Sequence, residues 1–196
     1  MPVQPLPETP SQTAGPYVHI GTYPTAAGLQ VRTQEKPNVA FGPGAKGERI
    51  RIEGTIRDGA GSLVPDALVE LWQADADGKF TGTDATGWGR SVCDPKSGVF
   101  WFETVKPGAT KLADGRAEAP FVTLMLFARG INIHLHTRMY FADEEAANAA
   151  DPTLAAVGDP RLRKTLVSRK STRDGQTVHH IDIVLQGENE TVFFDV

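Results

Sequence analysis

Apolar and polar positions along this chain alternate in short bursts separated by glycine and proline, a strand-and-turn rhythm rather than a helical one. Arg49 to Arg57, RIRIEGTIR, alternates residue by residue and predicts a strand with one polar face, turned at Asp58-Gly59 and Gly61. Val64 to Trp72 predicts a second strand, closed by a turn over Asp75 to Gly78. Val99 to Thr104 predicts a third, between Pro95–Gly98 and Lys106-Pro107-Gly108. Phe121 to Ala128 is apolar on both faces and predicts an inner strand. Ile131 to Phe141 alternates again. DEEAANAAD is the first helical stretch, with Asp143 placed to cap it, and Asp151-Pro152 and Asp159-Pro160 predict further short helices. Helix is thus confined to about Asp143 to Lys164. Strands return over Val167 to Thr172, Thr177 to Leu185 and Thr191 to Val196, with a hairpin at Asp174-Gly175. The Asp-Gly pairs at Asp58, Asp77, Asp114 and Asp174 fit a succession of hairpins.

Residues 1–45 break this rhythm. They are rich in proline and lack periodicity, so they predict an extended arm, while Val18, Ile20, Tyr17, Tyr23 and Phe41 favour an arm laid on a partner chain over a free tail. Residues 46–196 form the domain, and a length of 196 leaves no room for a second sizeable core. The fold class expected is all-β: a β-sandwich with a short helical insertion and an extended N-terminal arm. A net charge of −4 without a basic block gives no footprint for nucleic acid or an anionic membrane surface. The apolar run Phe121 to Ala128 is too short to cross a bilayer. Cys93 is the single cysteine, so no internal disulfide forms, and the cytoplasm is the default location.

The stretch INIHLHTRMYF carries the candidate chemistry. Period-2 alternation sends Ile131, Ile133, Leu135, Thr137, Met139 and Phe141 to a core and Asn132, His134, His136, Arg138 and Tyr140 to the opposite face. His134 and His136 then point the same way, close enough to share a metal ion. Taken alone, such a pair is more often a half-solvated polar face, because a metal site needs further ligands and no third is evident. His19 sits in the arm, and His179 and His180 face opposite ways.

Several motifs add to this reading. VELWQADADGKF (Val69 to Phe80), TVKPG (Thr104 to Gly108) and IHLHTRMYF (Ile133 to Phe141), in this order, resemble the intradiol aromatic-ring dioxygenases. ETPSQTAGPYVHIG (Glu8 to Gly21) and GENETVFFDV (Gly187 to Val196) narrow the resemblance to the alpha-type chains of that family, over nearly the whole length. The resemblance implies a β-sandwich. It also implies chemistry in which a ferric ion, Fe(III), held by two tyrosine phenolates and two histidines, activates a catechol for cleavage by dioxygen between its hydroxyl-bearing carbons. Anionic oxygen donors suit a hard trivalent cation.

Laid on this chain, the family pattern departs at the ligands. His134 and His136 match the histidine pair, but the tyrosine positions fall on Phe80 and on or near Thr110, and the arginine preceding the pair falls on Ile131. The resemblance therefore implies a vestigial site. It implies a homologous catalytic beta-type partner that holds the iron, and protocatechuate and dioxygen as substrates, giving 3-carboxy-cis,cis-muconate in aromatic catabolism along the beta-ketoadipate pathway. The residues implied to reach the partner's substrate are Thr13, Gly15 and Pro16 of TAGP and Arg129 of FARG. Two other readings stay open: a stand-alone dioxygenase that builds an iron site from Tyr17, Tyr23 or Tyr140, and a non-catalytic β-sandwich binding module.

Overall fold

The computed structural model describes residues 10–29, 36–80 and 87–195. The arm folds further than its composition suggests. Val18–Thr22 forms a short helix, α1, and Pro24–Ala27 a 3-10 turn, so helix is not confined to the predicted insertion. Both are brief and bury no side chain, which is why no periodicity announces them.

Strands β1 (Arg49–Arg57), β2 (Leu68–Gln73), β3 (Trp88–Val92), β4 (Val99–Val105), β5 (Thr110–Lys111), β6 (Ala117–Glu118), β7 (Phe121–Phe127), β8 (Leu135–Tyr140), β9 (Arg169–Arg173) and β10 (Gln176–Val184) carry the domain. Two four-stranded sheets run β4-β1-β10-β9 and β3-β2-β7-β8, and β5 and β6 form a small hairpin. Helices α2 (Glu145–Ala150), α3 (Pro152–Ala156) and α4 (Pro160–Lys164) make up the insertion. Among the described residues no helix is long and apolar enough to cross a membrane.

The core lies between the sheets. Ile50, Ile52, Phe100, Phe102, Ile181 and Ile183 come from one, and Val69, Leu71, Val122, Leu124, Leu126 and Met139 from the other. A second cluster, Phe121, Tyr140, Leu154 and Leu166, seats the helical insertion. Because β1 is an inner strand, Glu53, Gly54 and Thr55 are buried as well, and the polar face expected of RIRIEGTIR is largely covered. β1 pairs with β10 in parallel, so the sandwich is not a succession of hairpins. Asp174, with φ +50°, and Gly175, with φ +79°, do turn β9 into β10, and Asp114-Gly115 lies in the β5–β6 hairpin.

Three expectations are corrected. Thr191 to Asp195 is not a strand, although Phe194 N–H still donates to the His136 carbonyl at 2.8 Å. Asp143 does not cap α2, whose N-cap Glu144 has no side-chain cap bond. Asp143 instead joins Lys106 and Lys170 at 3.0 and 2.7 Å. The alternation over INIHLHTRMYF fails in its first half, where Arg129 and Gly130 (φ +84°) form a turn and the strand starts only at Leu135. Ile133, expected in the core, is 65% exposed as a result.

Candidate functional site

Two places in the sandwich collect the residues singled out by sequence. The first is the region of the lost tyrosine positions. Gly78 has φ +75°, and a Cβ there would stand 2.0 Å from the Ala109 carbonyl oxygen, so the loop after β2 packs backbone to backbone on the Lys106-Pro107-Gly108 loop. This contact brings the loop that carries Phe80 beside the start of β5 at Thr110. Phe80 is 48% exposed and stacks on Trp72 with centroids 6.1 Å apart. Thr110 is buried and donates to Glu118 Oε2 at 2.9 Å.

Glu118 in turn accepts from Arg138 at 2.7 Å, and the Arg138 guanidinium lies 3.9 Å over the Phe121 ring. Arg138 also donates to the Tyr140 hydroxyl, which itself donates to Asp151, both at 3.3 Å. A connected polar chain thus runs from Thr110 to Asp151. Burial pushes the Tyr140 phenol well above its ordinary pKa, so it is a neutral donor and not a phenolate. Burial likewise raises Tyr23. Tyr140 is thus committed to Arg138 and Asp151.

The histidines are less of a pair than alternation implies. His136 is on β8 with its edge on Phe194, whereas His134 precedes the strand and packs on Phe127. Burial, then Arg138 and His134, push the His136 pKa down, and its Nδ1 is buried without a hydrogen-bond partner. Two imidazoles beside a guanidinium, with no carboxylate or phenolate among them, do not fit Fe(III). Among the described residues no three His, Cys, Asp or Glu side chains gather as a metal-ligand group.

The second place is the turn after β7. Thr13 Oγ1 accepts from Gly130 N–H at 3.0 Å and from Gly15 N–H at 3.4 Å, and donates to the Ala128 carbonyl at 3.3 Å. Ser11 adds a bond to the Asn132 carbonyl at 3.1 Å. Gly15 takes φ +74°, which a residue with a side chain adopts poorly, and Pro16 leads into α1. Thr13 and Gly15 are therefore gathered at the Arg129-Gly130 turn, more than a hundred positions away in sequence. An open cleft of about 570 Å³ lies here, lined by Arg129, Asn132, Ile133, His134, Asp58 and Gln186 among others. Arg129 is exposed, and its Nε stands 3.0 Å from Asp66 Oδ2. Sequence reasoning missed Asp66 and the Glu118–Arg138 pair. Arg138 on the polar face of the HxH strand was the only available hint of a second buried charge.

The chain is similar to known proteins over most of its length. Residues 29–187 match the family model described as Dioxygenase. The chain is 48% identical to the protocatechuate 3,4-dioxygenase alpha chain of Pseudomonas putida over the full length of both, and 40% identical to that of Burkholderia cepacia over 97% of this chain and 98% of the other. It is also 33% identical to the Burkholderia cepacia protocatechuate 3,4-dioxygenase beta chain, over 74% of this chain and 67% of that one. The 3-chlorocatechol 1,2-dioxygenase of Rhodococcus opacus 1CP shares the fold, with TM-score 0.61 and 18% identity over 76% of this chain and 65% of that one. Motifs, sandwich and relatives agree that the chain belongs to the intradiol ring-cleavage dioxygenase family, among its protocatechuate 3,4-dioxygenase alpha chains.

Proposed function

We propose that this chain is a subunit that performs no ring cleavage itself. It pairs with a homologous beta-type chain that holds Fe(III), and together they convert protocatechuate and dioxygen to 3-carboxy-cis,cis-muconate. The observation that carries this reading is the polar chain at Thr110. The second phenolate position of the family falls on or near Thr110, and Thr110 is already committed to Glu118, which is committed to Arg138. When bound in the partner, the iron supplies activation of the catecholate. What this chain would supply is a surface built from Thr13, Gly15 and Pro16 of the arm and the exposed guanidinium of Arg129.

Protocatechuate carries a carboxylate besides its two hydroxyls. A guanidinium offers that group a planar fork of donors, which an ammonium cannot. Arg129 lies two residues beyond the inner strand β7, in a turn that Thr13 ties down. It would contact the substrate in the neighbouring subunit's pocket.

Two measurements test this. Iron analysis of the chain purified alone should find no stoichiometric Fe(III), whereas the complex should contain it and show the red-brown tyrosinate colour; iron bound by the isolated chain would overturn the reading. In the complex, Arg129→Ala should lower kcat/KM for protocatechuate roughly 10- to 150-fold, the equivalent of one charge-assisted contact at ~1.5–3 kcal/mol. The loss for catechol, which lacks the carboxylate, should be smaller. Equal losses would remove the carboxylate role.

A further inference from the structure

We infer that Asp66 is a positioning residue for Arg129, holding the Nε edge of the guanidinium so that its terminal nitrogens face outward as a fork for a carboxylate; this rests on the role proposed above for Arg129. The geometry is asymmetric. The Arg129 side chain is 61% exposed while that of Asp66 is only 11% exposed. Neither Asp66 carboxylate oxygen has a hydrogen-bond partner among the described residues, so its one counter-charge within ion-pair distance is Arg129 Nε at 3.0 Å. A nearly buried carboxylate without hydrogen bonds is costly to leave unpaired. The exposed arginine can swing into water, whereas the carboxylate oxygens of Asp66 are buried beside it, and that imbalance keeps the guanidinium at the turn.

The edge used also matters. The approach at Nε is an ion pair without a hydrogen bond, so the terminal N–H donors stay available for a second, bidentate partner. Thr13 contributes independently, because its bonds to Gly130 N–H and the Ala128 carbonyl brace the backbone on both sides of Arg129. Backbone and side chain are thus fixed by different residues. Asp66 touches neither iron nor substrate, and its effect passes wholly through Arg129.

The test is a double-mutant cycle in the assembled complex with the beta-type partner, comparing wild type, Asp66→Asn, Arg129→Ala and the double variant on protocatechuate and on catechol. Asp66→Asn should raise KM for protocatechuate roughly two- to fivefold, the span of a largely exposed ion pair, with little change in kcat. The same substitution should have no effect on protocatechuate once Arg129 is alanine, since nothing remains to position. A general structural defect would give the same loss in both backgrounds and would overturn the inference. So would wild-type kinetics for Asp66→Asn alongside a clear loss for Arg129→Ala, which would leave the role of Arg129 standing. A gain in catalytic efficiency for Asp66→Asn would mean that Asp66 competes with substrate, and would also overturn it. If Arg129→Ala itself has no effect, the underlying reading fails, whatever Asp66 does. Should Asp66→Asn not assemble, Arg129→Lys gives the second arm. An ammonium held by Asp66 has no free fork, so this variant should lose nearly as much as Arg129→Ala, and wild-type efficiency would refute the positioning.

Discussion

Burial pushes the His179 imidazole down to a pKa of about 4; its Nδ1 lies 3.1 Å from Ser168 Oγ, and the ring meets Phe141 edge-on. Unfolding returns the ring to water, where its ordinary pKa is about 6.5. Below that value the unfolded chain takes up a proton that the folded chain refuses. Stability should therefore decline as pH falls from about 6.5 to about 4 and be unaffected by this ring above that window, a total of roughly 3 kcal/mol. Urea midpoints measured across the window should show this slope, and His179→Gln should flatten it; an unchanged slope would assign it to other groups. Arg173, working against partial burial and aided by Arg51, holds Glu53 at about 2. Asp143 is raised by burial but held at about 2 by Lys170 and Lys106. Both carboxylates stabilise the fold above their ordinary range, and that contribution is lost only as pH falls towards 2, mostly below the histidine window. At this scale the FARG motif singled out Arg129 through the family resemblance, and nothing singled out Asp66, because an ion pair between residues 66 and 129 leaves no periodic trace. His134 was misplaced for a related reason. Its alternation with His136 is real in the letters, but the left-handed Gly130 delays the strand past it.

Among the elements, the helical insertion hangs on Asp151. Its carboxylate caps α3 through Leu154 N–H at 2.8 Å, accepts Ala119 N–H at 2.8 Å just before β7, and receives the Tyr140 hydroxyl. One buried side chain therefore joins a helix, a strand entry and β8. Asp151→Ala should cost about 2–4 kcal/mol, more than a surface cap alone, because it strands three buried donors. Asp159→Ala at the exposed start of α4 should cost about 1 kcal/mol or less. Equal losses in chemical denaturation would show that Asp151 acts only as a cap. Both Asp-Pro starts were legible because the signal is local: an acceptor, then a proline that needs no donor. β1, β4 and β7 were legible from their apolar pattern. β3, WGRSV, was not. It is an edge strand paired only with β2, and glycine, arginine and serine fill positions where a buried strand would show branched apolar residues. Thr191 to Asp195 shows the opposite error. Its TVFFD pattern reads as a strand, yet the segment is held by scattered single bonds to different elements, such as the Thr137 hydroxyl to the Val192 carbonyl at 2.7 Å and the Thr191 N–H to the Val184 carbonyl at 2.9 Å.

At the scale of the whole molecule the arm is of two kinds: Ala40 and Phe41 at its end are buried in the core between the sheets rather than laid on a partner, whereas its start is weakly tied. The ties from Ser11 and Thr13 are few and exposed or half-exposed, and α1 buries nothing. Removing residues 1–16 should leave the thermal midpoint of the isolated chain within a few degrees of the full chain, since ties of this kind contribute ~0.5–1.5 kcal/mol each. The complex built with that shortened chain should still bind iron but lose efficiency towards protocatechuate. A collapse of the midpoint would mean that residues 1–16 are part of the core. The two-sheet architecture was legible from turn density and alternation. Its connectivity was not, because a parallel pair between the ends of a domain is decided by packing and not by any neighbouring turn.

That parallel pair also sets an order in time. β1 lies between β4 and β10, and Ile50 meets Thr177, so one flank of the strand exists only after nearly all of the domain has been made. At about 5–20 residues per second, a ribosome delivers β10 roughly ten seconds or so after β1. During that interval a nine-residue strand rich in isoleucine shows a bare edge of backbone donors and acceptors. The nascent chain is then most open to chaperones and to pairing with a wrong neighbour, and its final β-hairpin serves as the latch that ends the exposure.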